Sequence, residues 1–134
     1  MTIKTPAVGE TAILKDAFGK TTPGDLTIKL FTNNIVPGDA DTASTYTEMT
    51  TNGYVAKTVT PADWNVAQSS GVAAATCVDQ VWTFTNAGTS TVYGYFVVGA
   101  DGILRWAERL AAPFLVQANG DSLTLSPRFT LYGV

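Results

Sequence analysis

The chain has 134 residues, a formal net charge of −3 and a charged fraction of only 14%. Its hydrophobic fraction is 46%, and 21 of its residues are Thr. This composition excludes an intrinsically disordered protein, which combines low hydrophobicity with high net charge. The length predicts a single domain with one main core. Abundant Thr, Val and aromatic residues favour β-structure, because these side chains fit a pleated sheet.

The distribution of charged and metal-binding residues excludes several functions. The five Lys and three Arg are scattered, so the sequence holds no basic patch for nucleic acid. The chain has no His and a single cysteine, Cys77. An intramolecular disulfide, the usual zinc sites and a His-dependent triad are therefore excluded. No apolar run approaches the length of a membrane span or a signal-peptide core, so we expect a soluble protein made in the cytoplasm, with no membrane partner.

The N-terminal part is predicted to be an extended arm followed by one helix. Residues 1–8 contain no helical pattern. The stretch GETAILKDAFGK, residues 9–20, predicts the one helix of the chain, near residues 10–18. This helix is expected to dock on a sheet through a shared apolar face, which consists of Ile13, Leu14, Ala17 and Phe18.

The rest of the chain alternates between strand-like runs and turn sequences. Asp101 and Gly102 predict a tight hairpin turn, and Pro127 marks an edge, a bulge or a break in the last run. The predicted fold is all-β: an antiparallel β-sandwich or small barrel with one short N-terminal helix, in which residues 9–134 form a single β-domain. Seven to nine strands are predicted, in the segments 26–33, 53–59, 63–68, 80–86, 91–99, 103–110, 113–118 and 122–134.

A long polar loop separates the first two predicted strands, and loops of this length in compact domains are usually functional or disordered. Asp39 and Asp41 stand like the first two ligands of a calcium loop. The later positions do not fit, because Ser44 occupies the place that requires Gly and no Glu follows at the twelfth position. We therefore expect no metal site, and we interpret the two Asp residues as turn and capping residues.

A catalytic pair of carboxylates and a sugar-binding set of aromatic rings are two further kinds of site, and each is compared with a purely structural role for the same residues. A pair of carboxylates could catalyse hydrolysis, although eleven acidic residues will also produce chance pairs. Exposed aromatic rings could bind a sugar, although such rings more often fill a β-protein's core. No catalytic, cofactor-binding or metal site is predicted. The carboxylates considered are Glu48, Asp63, Asp101 and Glu108, and the aromatic residues are Trp64, Trp82, Tyr93, Tyr95 and Trp106.

The order of several segments resembles a group of small virion proteins of tailed bacteriophages, and among these the head decoration, or cement, proteins. The similarity covers residues 9–134. Its most distinctive parts are LFTNNIVP, the run YGYFV followed by WAER, and the spaced residues Gly53, Tyr54, Lys57 and Trp64. The other segments are GETAILKDAF, YTEMTTNGYVAKTVTPADW, WTFTNAG and GDSLTLSPRFTLYG.

The resemblance implies a non-enzymatic protein that binds the major capsid protein on the outer surface of the head and stabilises the shell. It also implies a homo-oligomer, expected to be a trimer, located on the capsid surface of the virion after assembly in the host cytoplasm. Two alternatives remain at this point. One is a receptor-binding or tail-fibre module that recognises a host surface glycan, and the other is a carboxylate-dependent hydrolase.

Residues 1–8 and the loop from 37 to 52 are predicted to contact the shell or neighbouring subunits. Thr and Asn side chains can hydrogen-bond a partner without the desolvation cost of charges. Tyr46 and Met49 are predicted to be apolar anchors. The candidate contact residues are Thr2, Ile3, Pro37, Asp39, Asp41, Tyr46, Met49 and Asn52.

Overall fold

A computed structural model describes residues 3–85 and 88–132 of the chain. It confirms the predicted all-β class with one N-terminal helix. Short 3₁₀ helices occur at Ala43–Thr45 and Pro61–Asp63. The main elements are β1 (Ile3–Lys4), α1 (Ala7–Ala17), β2 (Leu26–Phe31), β3 (Lys57–Val59), β4 (Trp64–Ser69), β5 (Val72–Cys77), β6 (Gln80–Thr83), β7 (Ser90–Val98), β8 (Leu104–Val116), β9 (Ser122–Leu125) and β10 (Arg128–Tyr132).

The described strands form three antiparallel sheets. The largest has five strands in the order β1-β8-β7-β2-β3, the second has the order β10-β5-β4, and the third pairs β6 with β9. The predicted hairpin joins β7 to β8, and Gly102 in its turn has the positive φ of 77° that suits a tight connection.

Both faces of the five-stranded sheet are buried, because side chains alternate between the two faces along each strand. In β2, Ile28 and Leu30 belong to the larger core, whereas Phe31 belongs to a smaller core on the other face. The larger core is completed by residues of the other two sheets, among them Cys77, Trp82 and Leu125. The smaller core is completed by residues of the long loop, among them Ile35, Ala43 and Tyr46.

The helix buries a different face from the one predicted. Gly9 and Ala12 are buried, whereas Leu14 and Phe18 are 57% and 75% exposed. The cause is the close approach of α1 to β8, since a Cβ atom on Gly9 would lie 2.0 Å from the carbonyl oxygen of Arg105. Bulky side chains do not fit so tight a contact, and the prediction that Leu14 and Phe18 dock on the sheet is wrong.

Several strands differ from the predicted ones in existence or in extent. β5 is not among the predicted strands, because its three consecutive Ala residues give no alternating pattern. The predicted segments 103–110 and 113–118 are one strand, β8, whose pairing with β7 is irregular between Arg109 and Phe114. Pro127 divides the last predicted run into β9 and β10. A break is one of the three outcomes predicted for this proline, because it has no N–H to donate to a sheet.

Residues 3–8, predicted to belong to an extended arm, lie against the five-stranded sheet. Ile3 and Lys4 form β1, which pairs with Glu108 and Ala107 of β8, and the helix begins at Ala7. The extended conformation is thus present at the start of the described chain, where it serves as an edge strand. Thr2, a predicted contact residue, lies outside the described residues.

Candidate interaction surface

The long loop, residues 32–56, is fastened to β2 at its base. The Thr32 amide donates to the Thr47 carbonyl oxygen at 2.9 Å, and the Met49 amide donates to the Leu30 carbonyl oxygen at 2.9 Å. Glu48 forms an isolated antiparallel bridge with Phe31. These contacts close the loop like a hairpin, and they leave residues 33–46 as its tip.

Side chains fix the conformation of the loop tip. The Asn33 amide nitrogen donates to the Thr45 carbonyl oxygen at 3.0 Å, and its amide oxygen accepts from the Thr47 amide at 2.8 Å. The Asp41 carboxylate accepts from the Gly38 amide at 2.8 Å. Asp41 is therefore a turn-stabilising residue, as predicted. Within the described residues, no group of three or more His, Cys, Asp or Glu side chains could hold a metal ion.

Three of the predicted contact residues are core residues instead. Tyr46, Met49 and Asn52 are only 6%, 2% and 1% exposed. Tyr46 packs between aromatic rings of the smaller core, and Met49 belongs to the larger core. Asn52 adopts a positive φ of 56°, and its amide nitrogen donates to the carbonyl oxygens of Thr85 and Gly88. Their assignment as exposed contact residues is corrected accordingly.

The remaining predicted contact residues bring the arm and the loop together. Lys4 forms an ion pair with Asp39 at 2.5 Å, and the Ala7 amide donates to the Asp39 carbonyl oxygen at 3.0 Å. Pro37, which precedes Asp39 by two residues, is half-buried. Ile3 is half-buried and packs against the larger core. The two segments predicted to meet a partner are thus neighbours in the structure, and Asp39 is exposed at the contact between them.

Two of the candidate catalytic carboxylates have local structural partners. Glu48 accepts from the Lys29 ammonium group at 3.0 Å and from the Tyr54 hydroxyl at 3.1 Å. Burial raises the pKa of Tyr54, and the neighbouring Glu48 carboxylate adds to this rise. Asp63 accepts from the Thr60 amide at 2.7 Å in the capping box of a 3₁₀ helix. Both carboxylates therefore stabilise the local chain.

The other two carboxylates also have close partners. Asp101 forms a bidentate contact with the buried Arg105, at 3.0 and 3.1 Å, and Arg105 reaches Asp16 of α1 at 3.6 Å. The buried Glu108 accepts a 2.5 Å hydrogen bond from the Tyr95 hydroxyl. Burial, together with this hydrogen bond, raises the pKa of Tyr95. The contacts of Arg105 join the helix to the β7–β8 turn, and the hydrogen bond between Tyr95 and Glu108 joins β7 to β8.

The candidate sugar-binding aromatic residues lie mainly in the core. Trp82, Tyr95 and Trp106 are buried, as the structural interpretation of the sequence predicts. The half-buried Tyr93 is covered by the Arg109 guanidinium group, which lies 5.3 Å from the ring centroid. Trp64 is half-buried too, but one side of it lines an open groove. An exposed sugar-stacking platform is therefore not formed by these five rings.

The groove is a feature that the sequence interpretation missed. It lies between α1 and the β10-β5-β4 sheet, and we call it the α1–β10 groove. It consists of two adjoining cavities of about 350 and 270 Å³, which share Ile13 and Phe129. Its lining is mostly apolar, and three of its side chains are more than half exposed, namely Leu14 (57%), Val66 (74%) and Leu131 (60%).

The β4–β5 hairpin, residues 64–77, is a second exposed surface. Residues 65–69 of β4 are all exposed, and within the described chain β4 pairs only with β5. The hairpin contains no charged residue. The groove and the hairpin are adjacent, because Val66 of β4 lines the smaller cavity. The sequence did not reveal this region for two reasons. The exposed helix face was predicted to dock on the sheet, and β5 was not predicted as a strand.

Comparison of the chain with protein-family models, with curated proteins and with solved structures finds no match. No helix in residues 3–85 and 88–132 is long and apolar enough to cross a membrane.

Proposed function

We propose that this chain is a non-enzymatic structural protein of a tailed-bacteriophage virion. It binds the major capsid protein on the outer surface of the head and stabilises the shell. In this role it is a homo-oligomer, a trimer by the resemblance of its sequence to head decoration proteins. It is assembled in the host cytoplasm and then belongs to the capsid surface.

The observation that carries the proposal is the connected, mostly apolar surface formed by the α1–β10 groove and the β4–β5 hairpin. Soluble monomers rarely expose large contiguous apolar patches, and such patches commonly mark protein–protein contacts. Leu14, Val66 and Leu131 expose more than half of their surface in this region. An exposed apolar surface of this kind suits a protein that binds neighbouring chains.

The loop supplies a second contact surface, which lies on the other face of the five-stranded sheet from the larger core. Its tip is fixed by hydrogen bonds, so binding would order few additional groups and would lose little entropy. Val36 is the most exposed large apolar residue at the tip. Thr42, Ser44 and Thr45 are exposed residues of the same tip. We propose that Val36 and Asp39, rather than Tyr46 and Met49, meet the shell.

Phage heads assembled without the protein provide the test. The purified chain is added to such heads, and occupancy is measured by co-sedimentation together with the temperature at which the heads release DNA. We expect saturable binding and a higher release temperature. A Val36→Asp substitution is expected to weaken binding at least tenfold, because it places a charge in an apolar contact and tenfold corresponds to only about 1.4 kcal/mol.

Val81→Asp is the matched control. Val81 is exposed on β6, next to the buried Trp82 of the larger core, and thus lies away from the loop tip. Wild-type occupancy is expected for this variant. Absence of saturable binding by the wild-type chain, combined with binding to a host glycan, would contradict the proposal and support the receptor-binding alternative. Hydrolysis that is abolished by Glu48→Gln would instead support the enzyme alternative.

A further inference from the structure

We infer that the β4–β5 hairpin of one copy docks into the α1–β10 groove of a second copy, where β4 pairs along the outer edge of β10. The inference rests on the homo-oligomeric state in the proposed function and names the two surfaces that form it. It concerns contacts between copies of this chain, so it can be tested without phage heads.

β4 is suited to pair with another strand. It has six residues, which makes it the longest edge strand of the three described sheets. Proteins commonly protect sheet edges from pairing with short strands, Lys residues or Pro. The edge strands β1 and β3 have two and three residues and carry Lys4 and Lys57. β4, with the sequence WNVAQS, has none of these protections.

The outer edge of β10 borders the groove. Three consecutive residues, Phe129, Thr130 and Leu131, line the cavity of about 350 Å³. Successive side chains of a strand point to opposite faces, so a cavity over one face alone would not contact all three. The cavity therefore runs along the edge of β10, and its opposite wall is formed by Thr5 and α1. Within the described residues, β10 pairs only with β5.

The two surfaces are compatible in charge. The hairpin carries no charged residue, and Glu10 is the only charged residue that lines the larger cavity. Two copies can therefore meet without bringing like charges together. A stable interface needs about 800 Å² from each partner, roughly a tenth of the chain's 7456 Å² surface. Pairing of a six-residue edge alone gives less, so the interface must also cover the exposed Leu14 and Leu131.

The outer edge of β4 and the outer edge of β10 lie on opposite sides of the β10-β5-β4 sheet, so the contact between them is heterologous. A heterologous contact leaves one free hairpin and one free groove at the ends of any open chain, and these are satisfied when the chain closes into a ring. A ring of three copies would use every hairpin and every groove, in agreement with the proposed trimer.

Two single substitutions test the inference. Ala67→Lys adds to β4 the charge that protects natural edges, at an exposed residue that does not line the groove. Leu14→Lys places a charge in the groove. It keeps the helix intact, because the new lysine can form an ion pair with Glu10 four residues earlier, and an acidic residue on the N-terminal side is the favourable order for such a pair. Sedimentation velocity of the wild-type chain is expected to show the ring at micromolar concentration. Each variant is expected to be monomeric there, with association weakened at least tenfold, and Val81→Lys is expected to behave like the wild type.

The decisive measurement is a mixture of the two variants over a concentration series. The Leu14→Lys chain keeps an intact hairpin and the Ala67→Lys chain keeps an intact groove, because Ala67 lines neither cavity, so the mixture is expected to form a one-to-one dimer. Circular dichroism and thermal melting check that both variants are folded. Symmetrical pairing of two hairpins would instead leave Leu14→Lys fully associated and would overturn the inference.

A monomeric wild-type chain, or a mixture that stays monomeric, would also overturn it. Loss of head binding by an intact ring would contradict the proposed function alone, and normal head binding by a monomer would contradict this inference alone.

Discussion

The Tyr46 hydroxyl donates a 2.7 Å hydrogen bond to the Asp41 carboxylate, and the Tyr46 ring stacks on Phe96 of β7 with centroids 5.1 Å apart. Tyr46 and Asp41 both belong to the long loop, which the sequence predicts to contact a partner. The pair binds the loop tip to the smaller core, so the loop is a fixed part of the fold. The exposed side chains around it, above all Val36, become the surface available to a partner.

Removal of the Tyr46 hydroxyl should destabilise the fold moderately. Tyr46→Phe deletes a hydrogen bond to a carboxylate and is expected to lower the free energy of unfolding by about 1.5–3 kcal/mol. Tyr46→Ala also removes a buried ring and is expected to cost about 3–5 kcal/mol. Denaturant unfolding measures both. The exposed neighbour Thr47 gives the control, since Thr47→Ala should cost less than about 0.5 kcal/mol. Equal stability of Tyr46→Ala and Thr47→Ala would contradict the core position of the ring.

The elements that the sequence predicts well are those whose pattern is local. β2 alternates visibly, β7 is a nearly continuous apolar run, and the turn at Gly102 has its own signature, so these elements are confirmed. The burial of Tyr46 depends on Phe96, which is distant in sequence, and no local pattern reveals that contact. The groove has the same origin, because its walls come from α1, β4 and β10.

Gly9→Ala should destabilise the protein although Ala is the better helix former. In an exposed helix this change gains up to about 1 kcal/mol. Here the added Cβ would lie 2.0 Å from the Arg105 carbonyl oxygen, so α1 must move away from β8. We expect a net loss of about 1–3 kcal/mol, as for other overpacked contacts. Gly38→Ala is the control, because its Cβ would meet its nearest atom, on Asp41, at an ordinary 3.5 Å. A Gly9→Ala variant as stable as Gly38→Ala would refute the close helix contact.

Tyr95→Phe should destabilise the core through Glu108. The substitution takes away the hydrogen bond that the buried carboxylate accepts, and such bonds to charged groups contribute about 1.5–3 kcal/mol. Glu108→Gln retains an acceptor oxygen for the Tyr95 hydroxyl and should lose less. Tyr93→Phe, on the same strand, leaves the ring beneath Arg109 in place and serves as the control. Chemical denaturation that shows equal losses for the two tyrosine variants would argue against the pair.

The contribution of Asp101 to stability should be lost in acid. Hydrogen bonds from Arg105 hold the pKa of Asp101 below its usual value. A lowered pKa in the folded state means that the contribution is complete above the unfolded value of about 3.9 and is lost as the pH falls through the folded value. The wild type should therefore exceed Asp101→Asn in stability at pH 6, and the gap should narrow towards pH 3. Urea unfolding at several pH values measures the gap, and a constant gap would contradict the ion pair.

An electron-microscopic reconstruction of the phage particle that carries this protein would show directly whether the chain binds the head. We expect density for the described fold on the outer surface of the head, at positions of local threefold symmetry, with the loop tip around Val36 and Asp39 against the major capsid protein. Density for the chain in the tail or in a fibre, or a particle without the chain, would contradict it.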